Sequence, residues 1–151
     1  MPLIDAPSWG VFSLLTGPTA LAVLAVIVGA WRRWWSLPAA VLAANLTSHV
    51  LKRLIGRERP PAEQWLVEAS NYSLPSGHAT GAAAFAMALT LIIGWRAWSL
   101  LAWVGALVIG LSRLALGVHW VEDVLTGWIL EAIVAAVTWW ISLKLTPGKR
   151  L

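Results

Sequence analysis

Residues 112–123, SRLALGVHWVED, lie between two long apolar segments and bring together three chemistry-bearing side chains, Arg113, His119 and Asp123. If a helix begins near His119, Asp123 lies one turn further along the same face, within reach of the imidazole. A carboxylate there holds one ring nitrogen protonated, so that the other presents its lone pair outward. That is how a histidine becomes a nucleophile, and Arg113 next to it suits an anionic substrate such as phosphate.

Two segments upstream carry matching chemistry. Residues 52–60, KRLIGRERP, place Lys52 six residues before the pair Arg59-Pro60, and residues 75–78, PSGH, open an apolar run with Ser76, Gly77 and His78. In this order the three segments resemble the signature motifs of the type-2 phosphatidic acid phosphatase superfamily: Lys-x6-Arg-Pro, Pro-Ser-Gly-His and Ser-Arg-x5-His-x3-Asp. Every motif position matches without substitution, and the resemblance covers roughly residues 36 to 142. It implies a membrane-embedded lipid phosphate phosphatase that works through a phosphohistidine.

Composition points to the same setting. Of 151 residues, 59% are hydrophobic and only 12% charged, with a mean hydropathy of +0.74. Soluble domains are about 45–50% apolar and about 25% charged, which places this chain among polytopic membrane proteins. Its length suits a single membrane-embedded domain over residues 1–151. With no cysteine, disulfides and thiolate metal sites are excluded. The net charge of +4 does not indicate nucleic acid, because the basic residues sit at the ends of apolar runs, where they set membrane orientation and meet head groups.

The pattern predicts an all-α, polytopic transmembrane helical bundle with about five spans and a short N-terminal interfacial helix before them. Met1 to Thr16 reads as that interfacial helix or as a re-entrant lead-in, with Trp9 near the head groups. The spans run from about Pro18 to Ala30, Leu37 to Ile55, Gly77 to Gly94, Ala97 to Ser112 and Trp120 to Leu143. Arg32 and Arg33, Trp95 and Arg96, and Lys144 mark their ends. The third carries small residues, Ala79, Gly81, Ala82, Ala83, Ala84 and Ala86, suited to close helix packing in lipid. Counting crossings puts Lys52, Arg59, Ser76, His78, Arg113, His119 and Asp123 on one membrane face. The opposite face carries Arg32, Arg33, Arg96, Lys144, Lys149 and Arg150, and the motif face also holds Asp5, Glu58, Glu63 and Glu68. By the positive-inside rule the motif face is extracytoplasmic in a plasma membrane, and the C terminus is cytoplasmic.

Lys52, Arg59 and Arg113 would surround a phosphate dianion and stabilise the charge of five-coordinate phosphorus. Ser76 and the backbone amides around Gly77, at a helix N-terminus, add donors for the same anion. His119 attacks phosphorus with Asp123 fixing its tautomer, and His78 protonates the leaving oxygen and then activates water. These cations take the Lewis-acid role, so no metal or other cofactor is expected. The expected partner is a lipid phosphate entering from the bilayer, a prenyl or glycolipid carrier phosphate or diphosphate ahead of phosphatidic acid or phosphatidylglycerol phosphate. The reading from a different class is a non-catalytic protein that binds anionic lipid, for which the cations alone would suffice. Glu122 is assigned to the head-group zone, and His49 to a polar contact between helices. Glu131, two turns beyond Asp123, is expected to brace the polar stripe of Asn45, Ser48 and His49 on the second span.

Overall fold

The computed structural model describes residues 6–145, so Asp5 and the basic tail with Lys149 and Arg150 lie outside the described residues, as does the side chain of Trp9. Among the described residues the chain is all-helical: α1 Ala6–Leu15, α2 Pro18–Arg32, α3 Ser36–Ile55, α4 Gly77–Ile93, α5 Ala97–Ala115 and α6 Val121–Leu145, with a 3-10 turn at Ala62–Gln64. Each expected apolar run becomes one helix, and α1 falls where the short N-terminal helix was expected.

Local chemistry sets the ends. Pro18 occupies the first turn of α2, where its missing N–H costs nothing. Arg33 closes α2 in the left-handed region (φ 59°), and Trp34 N–H donates to the Gly29 carbonyl at 2.8 Å, so α3 begins after a three-residue turn, 33–35. Gly56 (φ 64°) stops α3 one turn past Lys52. Ser99 starts α5 by accepting the Arg96 N–H at 2.9 Å.

The central helix is α4, which packs against α2, α3, α5 and α6. Its buried positions are mostly small: Ala79, Gly81, Ala82, Ala83, Ala84, Ala86 and Ala88. Small side chains let neighbouring backbones approach, and dispersion contacts take over where lipid provides no hydrophobic drive. Ala84 and Ala88 join Ala25, Leu37, Ala40, Val41, Ala44, Ile92 and Ala135 in one apolar cluster. The outer faces are equally apolar: Leu100, Leu101, Val104, Leu107, Val108 and Leu111 of α5 are all exposed. A bundle greasy on its outside is arranged for a hydrocarbon surround. Ala97–Ala115 and Val121–Ile141 are long and apolar enough to cross a membrane, while Pro18–Arg32 and Gly77–Ile93 are apolar but shorter.

Glu131 is fully buried, and neither carboxyl oxygen has a hydrogen-bond partner. Asn45, expected to meet it, instead donates to the Pro18 carbonyl of α2 at 3.2 Å, and the Ser48 hydroxyl is also unpartnered. Helices α3 and α6 do pack together, but the hydrogen-bonded brace is not formed. A buried polar group without a partner costs about 1–3 kcal/mol, so Glu131→Leu should raise the thermal midpoint of the detergent-solubilised protein. A lowered midpoint would show that the carboxyl is a structural contact.

Candidate active site

The end of α3, the start of α4, the end of α5 and the start of α6 meet at one end of the bundle, closed over by the loop of residues 57–76. This puts the sequence-expected residues together. Lys52, Arg59, Gly77, His78, Arg113 and His119 line a cavity of ≈ 240 Å³. Asp123 lies just behind His119, completely buried. The hydroxyl of Ser76 is the exception: it is buried without a partner and does not line the cavity.

The first turn of α6 organises the nucleophile position. Asp123 Oδ2 accepts from the Trp120 backbone N–H at 2.9 Å, as a carboxylate in a first helical turn does. The same oxygen lies 3.2 Å from His119 Nδ1, which places the proton on Nδ1 and leaves the Nε2 lone pair facing the cavity. There Arg59 Nη1 stands 3.1 Å from Nε2. Burial pushes the His119 imidazole down to about 4; Arg59 and Lys52 push the same way, while the Asp123 hydrogen bond and charge oppose them. The ring is therefore neutral above about pH 4 and has its lone pair available.

Lys52, Arg59 and Arg113 are each held by oxygen that carries no charge. Lys52 Nζ donates to the carbonyls of Tyr72 (2.9 Å) and Ser73 (3.1 Å). Arg59 donates to the carbonyls of Asn71 (3.0 Å), Ser70 (3.1 Å), Tyr72 (3.3 Å) and Val118 (2.7 Å). Arg113, 1% exposed, donates to the hydroxyls of Ser112 and Ser13. His78 Nε2 lies 3.0 Å from the Ser13 carbonyl.

Three residues here escaped the motif reading. Arg57 donates to Asp123 Oδ1 at 3.2 Å and pairs with Glu122 at 3.3 Å, which ties Glu122 to the site's edge. Ser73, fully buried, donates to the Glu58 carbonyl at 2.9 Å and lies 3.5 Å from Asp123 Oδ1. Ser13 comes from α1, far away in sequence. Arg57 was visible as a charge inside the first motif; nothing local marks Ser73 or Ser13.

Gly117 lets the loop before His119 fit. Its φ is +70°, and a Cβ there would come within 2.2 Å of the Gln64 carbonyl oxygen, so only glycine allows the 116–118 turn to lie against the 57–76 loop. Leu66 N–H donates to the Leu116 carbonyl at 3.1 Å across that contact.

The described residues thus form a helical bundle whose one end holds a cavity lined by three cations and two histidines, an arrangement suited to an anion. Residues 33–147 match the PAP2 superfamily, and the chain belongs to it. The crystal structure of a transmembrane PAP2-type phosphatidylglycerolphosphate phosphatase from Bacillus subtilis superposes with a TM-score of 0.76 at 28% identity, covering 95% of this chain and 79% of that one. Phosphatidylglycerophosphatase B of Bacillus subtilis is 34% identical over 143 residues, 80% of this chain and 70% of the relative. The decaprenylphosphoryl-5-phosphoribose phosphatase of Mycolicibacterium smegmatis is 38% identical over 99 residues, 64% of this chain. The chain spans 53% of that mycobacterial protein's length.

Histidine titration followed by NMR on selectively labelled protein tests the site's electrostatics. The chain has three histidines, and the signal lost in His119→Asn should titrate near 4 in the wild type, more than a unit below the ordinary 6.5. The folded state takes up this proton later than the unfolded chain, so stability should fall as pH drops from about 6.5 towards 4. A midpoint at 6.5 or above would mean that burial does not govern this imidazole.

Proposed function

We propose that the chain is a lipid phosphate phosphatase acting through a phosphohistidine on His119. The observation that carries this reading is the orientation of His119: Nδ1 is held by Asp123 at 3.2 Å, and Nε2 is turned into a cavity lined by Lys52, Arg59 and Arg113. A protein that only bound anionic lipid would need the cations, but not a histidine with its lone pair aimed among them.

In this reading Arg59 shifts its Nη1 donor from His119 to a phosphoryl oxygen when substrate binds, which uncovers the lone pair. Nε2 then attacks phosphorus and the bond to the leaving oxygen breaks. Lys52, Arg59, Arg113 and the backbone amide at Gly77 neutralise the charge on the equatorial oxygens. His78, given up by Ser13 and protonated to the imidazolium as the phosphate dianion enters, protonates the leaving oxygen, becomes neutral, and afterwards takes a proton from the water that cleaves the phosphohistidine. The His119 imidazolium formed in the first step is stabilised by Asp123. The cations supply the charge stabilisation throughout, so the reaction is metal-independent. Ser76 acts through its backbone, whose N–H donates to the Asp123 carbonyl at 2.9 Å and fixes α4 against α6.

The substrate we favour is a prenyl or glycolipid carrier phosphate or diphosphate, ahead of phosphatidic acid or phosphatidylglycerol phosphate. Support comes from the mycobacterial relative, named for a decaprenyl-linked phosphate. The Bacillus relative, named for phosphatidylglycerophosphate, supports the other lipid class. In this reading residues 1–151 act as one unit with α2 to α6 crossing the plasma membrane. The site faces the extracytoplasmic side and the C terminus the cytoplasm. Basic residues at the opposite end, Arg32, Arg33, Arg96 and Lys144, support that orientation.

Phosphate release by detergent-purified protein in chelator tests the proposal, with a prenyl diphosphate, phosphatidic acid, phosphatidylglycerol phosphate and a soluble monoester as substrates. Wild type should release phosphate fastest from a lipid, and His119→Ala should lose at least about a thousandfold in kcat. Release that survives in His119→Ala overturns the nucleophile. Folded protein inert on every lipid supports the binding-only alternative.

A further inference from the structure

Helix α1 delivers one polar residue to the cavity, and that residue meets two of its functional groups at once. The Ser13 carbonyl lies 3.0 Å from His78 Nε2, and its hydroxyl lies 3.4 Å from the same nitrogen. A carbonyl can only accept, so Nε2 carries the proton and donates it to Ser13. Arg113 Nη1 donates to the Ser13 hydroxyl at 2.9 Å. These are the nitrogen that would protonate the leaving oxygen and a guanidinium that would hold a phosphoryl oxygen.

The position of Ser13 in its helix explains why it suits them. It lies in the last turn of α1, where carbonyls have no intrahelical partner and the helix dipole is negative. The neighbouring carbonyls of Phe12 and Leu14 take the N–H groups of Thr16 and Gly17. Ser13 thus brings a partial negative charge and two oxygens into a site built for an anion. On the outer side of α1, Val11, Leu14 and Leu15 are 56%, 72% and 67% exposed. A mostly apolar groove between Gly10, Leu14, Leu66 and Val67, with Thr19 and Glu68 as its other polar lining, adjoins the cavity and shares Ser13, Glu68 and His78 with it.

We propose that Ser13 is a substrate-competing residue, held by α1 in the place of the phosphate ester, which every substrate displaces before His78 and Arg113 can engage it. This rests on the phosphatase reading of the same cavity. Ser13 therefore sets phosphate affinity without taking part in the chemistry, and the apolar groove beside it receives the first segment of the lipid. A phosphate with an apolar chain displaces Ser13 while burying that chain against α1; a soluble phosphate has no such gain.

Binding of orthovanadate, a phosphate analogue, to the full chain in detergent tests this by calorimetry. Ser13→Ala should bind vanadate roughly three- to tenfold tighter than wild type, because a charge-assisted contact of the competitor is gone. Ser13→Thr, which keeps the hydroxyl, should match wild type. KM for the best lipid should fall in the same ratio in Ser13→Ala, with kcat not reduced. The chain has no native cysteine, so Leu14→Cys offers a single thiol for a spin label, whose spectrum should change when vanadate binds. Vanadate binding to wild type with Ser13→Ala no tighter, a fall in kcat in Ser13→Ala, or a label blind to vanadate overturns the role of Ser13 alone. Binding in neither protein overturns the phosphate site with it.

Discussion

The Asp123 carboxylate is the contact on which the rest of this structure depends. One oxygen takes the His119 ring N–H and the Trp120 backbone N–H; the other faces Arg57 and Ser73. Its backbone carbonyl takes the Ser76 N–H at the start of α4. A single residue thus ties the first turn of α6 to the loop after α3 and to the mouth of α4. A fully buried carboxylate is tolerable only when its lone pairs are filled, and the partners that fill them are the segments that must meet to form the cavity. Helix capping, tautomer selection and loop closure are here one electrostatic requirement.

The alanine-rich core of α4 provides the second condition. Gly127 on α6 lies so near α4 that a Cβ would stand 3.1 Å from the Ser76 carbonyl and the Thr80 hydroxyl oxygen. Such close approach brings the helix ends that carry His78 and His119 to one cavity. Larger residues on α4 would separate the two helices and with them the two histidines.

The helices and most of the cavity were legible because two strong signals coincide. Apolar runs in a chain this hydrophobic have few alternatives to helix, and the four-residue spacing from His119 to Asp123 fixes their contact once α6 begins at Val121. Lys52 and Arg113 could be placed because charges at the ends of apolar runs have one place to go, and Arg59 because its spacing from Lys52 resembles the family motif. Tertiary partners were less visible. Arg57 looked like one more loop cation, and Ser73 contributes through a hydroxyl whose setting depends on the folded loop. Ser13 makes its contacts 65 and 100 residues away, beyond any local pattern. Glu131 shows the opposite failure: polar residues on two helices that pack together are no guarantee of a hydrogen bond between them, since Asn45 finds the Pro18 carbonyl instead.

The neutral partners of Lys52, Arg59 and Arg113 have a further effect. Carbonyl and hydroxyl oxygens orient these cations without cancelling them, so their charge opposes only the Asp123 carboxylate behind His119 and Glu68 in the cavity lining. On the proposed reading, cations held in this way favour any phosphate dianion, and their charge alone does not distinguish an ester from the free ion. Orthophosphate set free at the end of the proposed reaction sits in the same well that captured the substrate. In the proposed reaction the released ion therefore competes with the next substrate for the same cavity, so inhibition by product follows from recognition by charge alone.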